Sequence, residues 1–240
     1  MTLNLRAVVL SDIGARRANN EDAAFAGRRL LAVADGMGGL PAGELASEIA
    51  IDSLRDLDDG VDPGVDLVEA LRSRVERANA RIRQAVAADP LRQGMGTTLT
   101  TLLVDGACGA LLHIGDSRGY LWRGGRLTQL TPDHTYVQAL VEQGVLSPEQ
   151  AREHPQKALV TQALQGGSVA PYVADLDLLP RDRLLLCSDG LSDVVADADL
   201  AAALADEPGP MRCAQRLVDL ALAGGGPDNI TVVIADLVPA

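Results

Sequence analysis

Short runs rich in Leu and Val punctuate the chain: Leu3–Leu10, Leu30–Ala34, Thr97–Val104, Ala107–Ile114, Gly119–Arg123, Leu127–Leu130, Tyr172–Leu178, Arg183–Cys187 and Ile230–Val238. Their length and bounding turn residues predict strands. Two of them flank Gly124-Gly125, a two-residue hairpin signal, and Asp105-Gly106 reads as another. Connections that tight force antiparallel pairing, because parallel strands need a long crossover, so a Rossmann-like sheet is disfavoured. Between the strands, Leu67, Leu71, Val75, Ala78, Ile82 and Val86 recur at helical spacing with Arg and Glu among them, and Pro41–Leu57 and Met211–Ala223 read likewise. Ser147-Pro148-Glu149-Gln150 marks a helix start: Ser caps, Pro fills the first turn, and Gln150 completes a capping box. Antiparallel groups of strands with helices in pairs between them predict an α/β fold, a four-layer α-β-β-α sandwich of two antiparallel sheets flanked by helix pairs.

Composition narrows the function. In 240 residues the hydrophobic share is 47% and the aromatic share 2%, so aliphatic side chains fill the core and base stacking on aromatic platforms is disfavoured. A formal net charge of -12 repels nucleic acid and anionic lipid. It also sets a problem for any enzyme that handles phosphate: local cations or metal ions must reverse the field at the site. There is no signal peptide and no apolar stretch near the length of a membrane span, so a soluble, cytoplasmic chain is expected, with the soluble part of a longer, membrane-anchored protein left open. The three cysteines, Cys108, Cys187 and Cys213, are odd in number and widely spaced, and are expected to be buried reduced thiols.

The informative feature is where the acidic residues fall. Leu30–Ala34 runs into Asp35-Gly36, Leu111–Gly115 into Asp116-Ser117, and Leu184–Ser188 into Asp189-Gly190, while Pro227-Asp228-Asn229 precedes the last strand. In an antiparallel sheet the end of one strand lies beside the start of its neighbour, so all four carboxylates can meet at one edge. A single Asp-Gly is an ordinary strand-end turn. Four such sites after similar apolar runs are not so easily explained. Clustered carboxylates repel one another unless cations are present, and oxygen-only ligands suit hard ions such as Mg²⁺ or Mn²⁺. Upstream, Arg17-Ala18-Asn19-Asn20-Glu21-Asp22 adds two carboxylates and a guanidinium, the group suited to a bidentate grip on phosphate.

These residues together resemble the PPM (PP2C-like) metal-dependent Ser/Thr protein phosphatases. The matching segments are Arg17–Asp22, Ala34–Gly39 with Gly43-Glu44, Gly94–Thr98, Ile114–Arg118, Ser188–Asp193 and Gly226–Thr231, in family order over nearly the whole chain. Similarity is greatest to the bacterial members that oppose eukaryotic-like Ser/Thr kinases. The resemblance implies one phosphatase catalytic domain over residues 1–240, with a flap around 131–157 and a binuclear Mn²⁺ or Mg²⁺ centre at one end of the sandwich. By position, Asp35 bridges the two metals, Asp189 and Asp228 complete one, and Glu21 and the Gly36 carbonyl help hold the other. Asp22 orients the attacking water, Arg17 clamps the phosphate, and Asp116 with Asp189 holds a third, weaker ion. The implied reaction is hydrolysis of phosphoserine and phosphothreonine in proteins, including kinases and their substrates, by metal-activated water. No nucleic-acid partner and no membrane insertion are implied, and a monomer is expected.

Two positions depart from the family pattern. Many animal members carry His just after the metal-binding Asp-Gly, where this chain has Met37; many bacterial members carry His after the paired glycines, where it has Leu40. The acid that protonates the leaving group is therefore unassigned among side chains. His113, inside a strand, reads as a core residue, and His134 and His154 as exposed ones. Two competing readings stand: a non-catalytic pseudophosphatase regulator, against which retention of Glu21, Asp35, Asp189 and Asp228 argues, and a metallohydrolase of small phosphoesters.

Overall fold

Faces that alternate along every central strand divide the interior into three apolar layers. The structure, a computed structural model, describes residues 3–38, 42–62 and 64–239. The chain begins with β1 (Leu3–Asp12), β2 (Asp22–Ala26) and β3 (Leu30–Met37), then α1 (Ala42–Leu54) and α2 (Leu67–Ala88). Next come β4 (Gly96–Thr97), β5 (Leu99–Asp105), β6 (Cys108–Ile114), β7 (Arg118–Arg123) and β8 (Arg126–Gln129). α3 (Tyr136–Glu142) and α4 (Pro148–Glu153) follow, then β9 (Tyr172–Asp177) and β10 (Arg183–Cys187). The short α5 (Asp189–Ser192), α6 (Asp197–Asp206), α7 (Pro210–Ala223) and β11 (Ile230–Pro239) complete the described chain.

The strands form two antiparallel sheets, one in the order β1-β11-β10-β7-β8 and the other β2-β3-β5-β6-β9, with β4 paired to β3. In β3, Leu31 and Val33 face the other sheet, while Leu30, Ala32 and Ala34 face α1 and α2. In β11, Val233, Ala235 and Leu237 face between the sheets, while Ile230, Val232 and Ile234 pack with residues of α6 and α7. A strand buried on both faces reads as a continuous apolar run, which is why these strands stand out in the sequence. The architecture is the expected four-layer sandwich. Gly124 and Gly125 both have positive φ (57° and 85°), as the tight β7–β8 turn requires; the β5–β6 turn uses Gly106-Ala107, one residue beyond the expected pair.

The differences have local causes. β2, Asp22-Ala-Ala-Phe-Ala26, is half-buried along its length and shows no alternation to detect. The run from Thr97 divides into β4 and β5 at Thr98, whose side chain serves the site described below. α1 stops at Leu54 and a 3₁₀ turn carries the chain to Asp59, while Pro41 lies outside the described residues. The capping box at Ser147 is formed, with both reciprocal hydrogen bonds present. Cys187 and Cys213 are buried thiols, but Cys108, at the β6 edge, is exposed. Among the described residues no helix is long and apolar enough to cross a membrane.

Candidate metal centre and active site

Two crossovers between the sheets pass the same end of the sandwich. Residues 13–21 lead from β1 in one sheet to β2 in the other, and Gly115–Ser117 lead from β6 back to β7. The register brings further ends to meet them. Cys187 pairs with Val232 on one side and Arg118 on the other, so Ser188-Asp189, Asp228-Asn229 and Asp116-Ser117 fall together.

Asp35 lies inside β3, not beyond its end, and is directly opposite Asp22 on β2. Like charges placed directly across a strand pair are destabilising. Asp22, Asp189, Asp116 and Asp228 all act on Asp35, so that burial first and these neighbours next push its pKa well above the ordinary carboxylate value. Asp189 is raised well above it too, by burial and then by Asp116, Asp228, Asp193 and Asp22. Asp22 rises to about 6, chiefly through burial, although Thr231 and Ser188 hydrogen-bond its charged form. Its Oδ2 accepts from Ser188 Oγ at 2.8 Å, and that hydroxyl accepts the Thr231 N–H at 2.9 Å.

Arg17 does not stand free as a clamp. Its Nη2 donates to Asp228 Oδ2 at 2.5 Å, on a half-exposed rim, and Asp189 and Asp35 act on it more weakly. Asn229, in the Gly226–Thr231 segment, ties this region together. Its Nδ2 donates to the Ile13 and Asn19 carbonyls, both at 2.9 Å, and its Oδ1 accepts the Glu21 N–H at 2.9 Å. Glu21 is buried, and its carbonyl accepts from Ser47 Oγ at 2.6 Å and from the Gly36 N–H at 3.2 Å. A Cβ on Gly36 would lie 2.3 Å from the Gly43 carbonyl oxygen, and one on Gly43 would lie 2.5 Å from Glu21 Oε2. The close packing of Glu21, Gly36 and Gly43 thus needs two residues without side chains.

Asp116 is buried and its pKa rises to about 7, through burial and then Asp133 and Asp193. It lines a cavity of about 690 Å³ whose walls include residues of the segment 131–158 and Ser192–Asp197. The remaining ring carboxylates lie outside that lining. Lys157 Nζ is 3.0 Å from Asp193 Oδ2 across the cavity. His113 is fully buried as expected, whereas His134 and His154 are half-buried rather than exposed. Leu40, the position expected at the site entrance, lies outside the described residues.

The donor set fits hard divalent cations. Asp22 Oδ1 and Asp189 Oδ1 are buried without a hydrogen-bond partner, an arrangement that a cation or an ordered water would satisfy. Among the described residues, no three His, Cys, Asp or Glu side chains are already closed on one point; the carboxylates form an open ring, with Arg17 resting on Asp228.

Sequence reasoning found the acidic residues but missed the polar residues that hold them: Thr97, Thr98, Ser117, Ser188 and Asn229. All five fall within the segments that carry the family resemblance, but nothing in the sequence assigns them a contact.

The chain is similar to known proteins in sequence and in fold. A family model described as protein phosphatase 2C matches residues 15–219. The serine/threonine protein phosphatase PstP of Mycobacterium tuberculosis is 52% identical over 238 residues, which are 99% of this chain but 46% of that protein. The protein phosphatase PhpP of Streptococcus pneumoniae is 37% identical over 239 residues, covering 95% of this chain and 96% of its own. The crystal structure of the M. tuberculosis phosphatase PstP/Ppp matches with a TM-score of 0.95 at 51% identity, covering 98% of this chain and 100% of that one. The PstP catalytic domain in complex with two manganese ions matches with a TM-score of 0.93 at 50% identity, covering 99% and 100% of the two chains. The chain thus spans about half the length of its mycobacterial relative, and with this sequence, fold and ring of carboxylates it belongs to the protein phosphatase 2C family.

Proposed function

We propose that the chain hydrolyses phosphoserine and phosphothreonine in proteins, Ser/Thr kinases and their substrates among them. The observation that carries this reading is Asp22 facing Asp35 across β2 and β3, with Asp189, Asp228 and Asp116 near enough to perturb Asp35 and Arg17 on the rim. Asp35, Asp189, Asp228, Glu21 and the Gly36 carbonyl would hold two Mn²⁺ or Mg²⁺ ions, and Asp116 with Asp189 a third, weaker one. When bound, such ions supply Lewis-acid charge to phosphoryl oxygens and lower the pKa of coordinated water.

The side chains do the remaining work. Arg17, released from Asp228, presents two N–H groups to the phosphoryl oxygens and spreads the charge that grows there. Asp22 Oδ1, buried and without a partner, orients the attacking water in line with the phosphorus and holds its proton. Ser188 keeps the other Asp22 oxygen in place. Residues 131–157 act as a flap, and the cavity between them and Ser192–Asp197 takes the polypeptide around the phosphorylated residue.

The test is phosphate release from a phosphothreonine peptide and from p-nitrophenyl phosphate, with Mn²⁺ or with excess EDTA. Mn²⁺-dependent release with kcat/KM favouring the peptide is expected. Equal turnover of both would favour a small-ester hydrolase, and Mn²⁺ binding without turnover would favour a regulator.

A further inference from the structure

The loop Pro132-Asp133-His134, where β8 gives way to α3, grips the Asp116 turn on both sides. His134 and Gly115 exchange hydrogen bonds: the His134 N–H donates to the Gly115 carbonyl at 2.7 Å, and the Gly115 N–H donates to His134 Nδ1 at 3.1 Å. Both polar groups of the Gly115 backbone are thus committed to one residue of the 131–157 segment. Gly115 has φ +107°, and a Cβ there would lie 2.5 Å from Thr98 Cγ2, so only glycine fits this turn. On the far side of Asp116, Asp133 takes the Arg118 guanidinium, with Nε at 2.9 Å and Nη2 at 2.6 Å. Beneath, the buried His113 ring lies 4.8 Å from that of His134, and Thr100 Oγ1, which pairs with His113 Nδ1 at 2.9 Å, donates to the Ser117 carbonyl at 2.9 Å.

The geometry points to His134 as a positioning residue that fixes the Gly115 peptide and thereby sets where the Asp116 carboxylate stands, joining that carboxylate to the 131–157 segment. The inference rests on the reading of Asp116 as part of the catalytic centre. It gives the imidazole a specific task, because Nδ1 must be a bare acceptor to receive the Gly115 N–H. The Oδ1 of asparagine offers an acceptor of similar reach. Leucine fills the volume but accepts nothing and leaves that N–H without its partner.

The experiment is a double-mutant cycle on the whole chain with Mn²⁺, reading kcat and KM on a phosphothreonine peptide. His134→Leu is expected to lower kcat roughly 10–100-fold with KM little changed, the usual consequence of a group displaced by about an ångström. His134→Asn should restore most of the rate. In an Asp116→Ala background, His134→Leu should cost less than about twofold more, because residues acting through one another are not additive. Amide exchange reads the same contact without turnover: the Gly115 N–H should exchange about tenfold faster in His134→Leu, the worth of one hydrogen bond, and near the original rate in His134→Asn. Should Leu prevent folding, His134→Ala makes the same comparison. His134→Leu slowing the Asp116→Ala enzyme as much as it slows the unaltered one overturns the proposal, as does unchanged exchange at Gly115. Asp116→Ala running at full rate would instead sink the reading of Asp116 itself.

Discussion

Thr98 holds the backbone of Asp35 from both directions: its N–H donates to the Asp35 carbonyl at 2.9 Å, and its Oγ1 accepts the Asp35 N–H at 3.0 Å. The same hydroxyl lies 2.7 Å from Ser117 Oγ, so one threonine links Asp35 to the Asp116 turn. Thr98→Val keeps the shape and deletes the acceptor. Leaving the Asp35 N–H unpaired should cost about 1–3 kcal/mol of stability, measured by urea denaturation, with kcat reduced as well. Thr98→Ser should recover most of both.

Metal dependence follows from the ring of carboxylates. Chelation should abolish phosphate release and added Mn²⁺ restore it. Asp35→Ala, Asp189→Ala and Asp228→Ala should each lose most of the rate and weaken Mn²⁺ binding by calorimetry. Full activity in excess EDTA would end the metal reading.

For Arg17, loss of one charge-assisted phosphate contact costs roughly 1.5–3 kcal/mol, about 10–100-fold in kcat/KM. Arg17→Ala should be weakened but active, with the larger change in KM if the contact is equally strong before and during reaction. Because Arg17 rests on Asp228, its removal should leave Mn²⁺ affinity undiminished. An unchanged kcat/KM would remove Arg17 from the site.

The raised carboxylates fix how the metal-free protein responds to pH. Asp22, at about 6, and Asp116, at about 7, bind protons in the folded state that they lose near pH 4 when unfolded. Their contribution is therefore fully present below about pH 4 and is lost as pH rises through about 6 and 7. In EDTA, Tm at pH 5.5 should exceed Tm at pH 8 by roughly 5–10 °C, and Asp22→Asn with Asp116→Asn should flatten the slope. A metal-free Tm that rises with pH across this window would contradict the crowding of these groups.

The strands buried on both faces were legible as apolar runs, and so were the carboxylates at their ends. β2 was not legible, since five half-buried residues give neither period nor contrast. α6 was missed because Asp197–Asp206 consists of Ala, Asp and Leu alone, with only Leu200, Ala203 and Leu204 buried. The parts of the site that escaped the sequence are those that depend on register between distant segments. Nothing near Asn229 indicates that its amide will reach Ile13, Asn19 and Glu21, and nothing near His134 indicates that it will face Gly115.

β11, the last of the described strands, lies in the interior of its sheet between β1 and β10. During synthesis, therefore, β1 and β10 present unpaired edges until Ile230–Pro239 emerges to join them, and such edges invite pairing with other chains. The loop that leads into β11 carries Asp228 and Asn229, which bind Arg17 and residues 13–21 across most of the chain. Until Ile230–Pro239 has docked, Asp228 and Asn229 are not held against Arg17 and residues 13–21. Pairing of β11 with β1 and β10 and the seating of Asp228 against Arg17 therefore belong to one folding step.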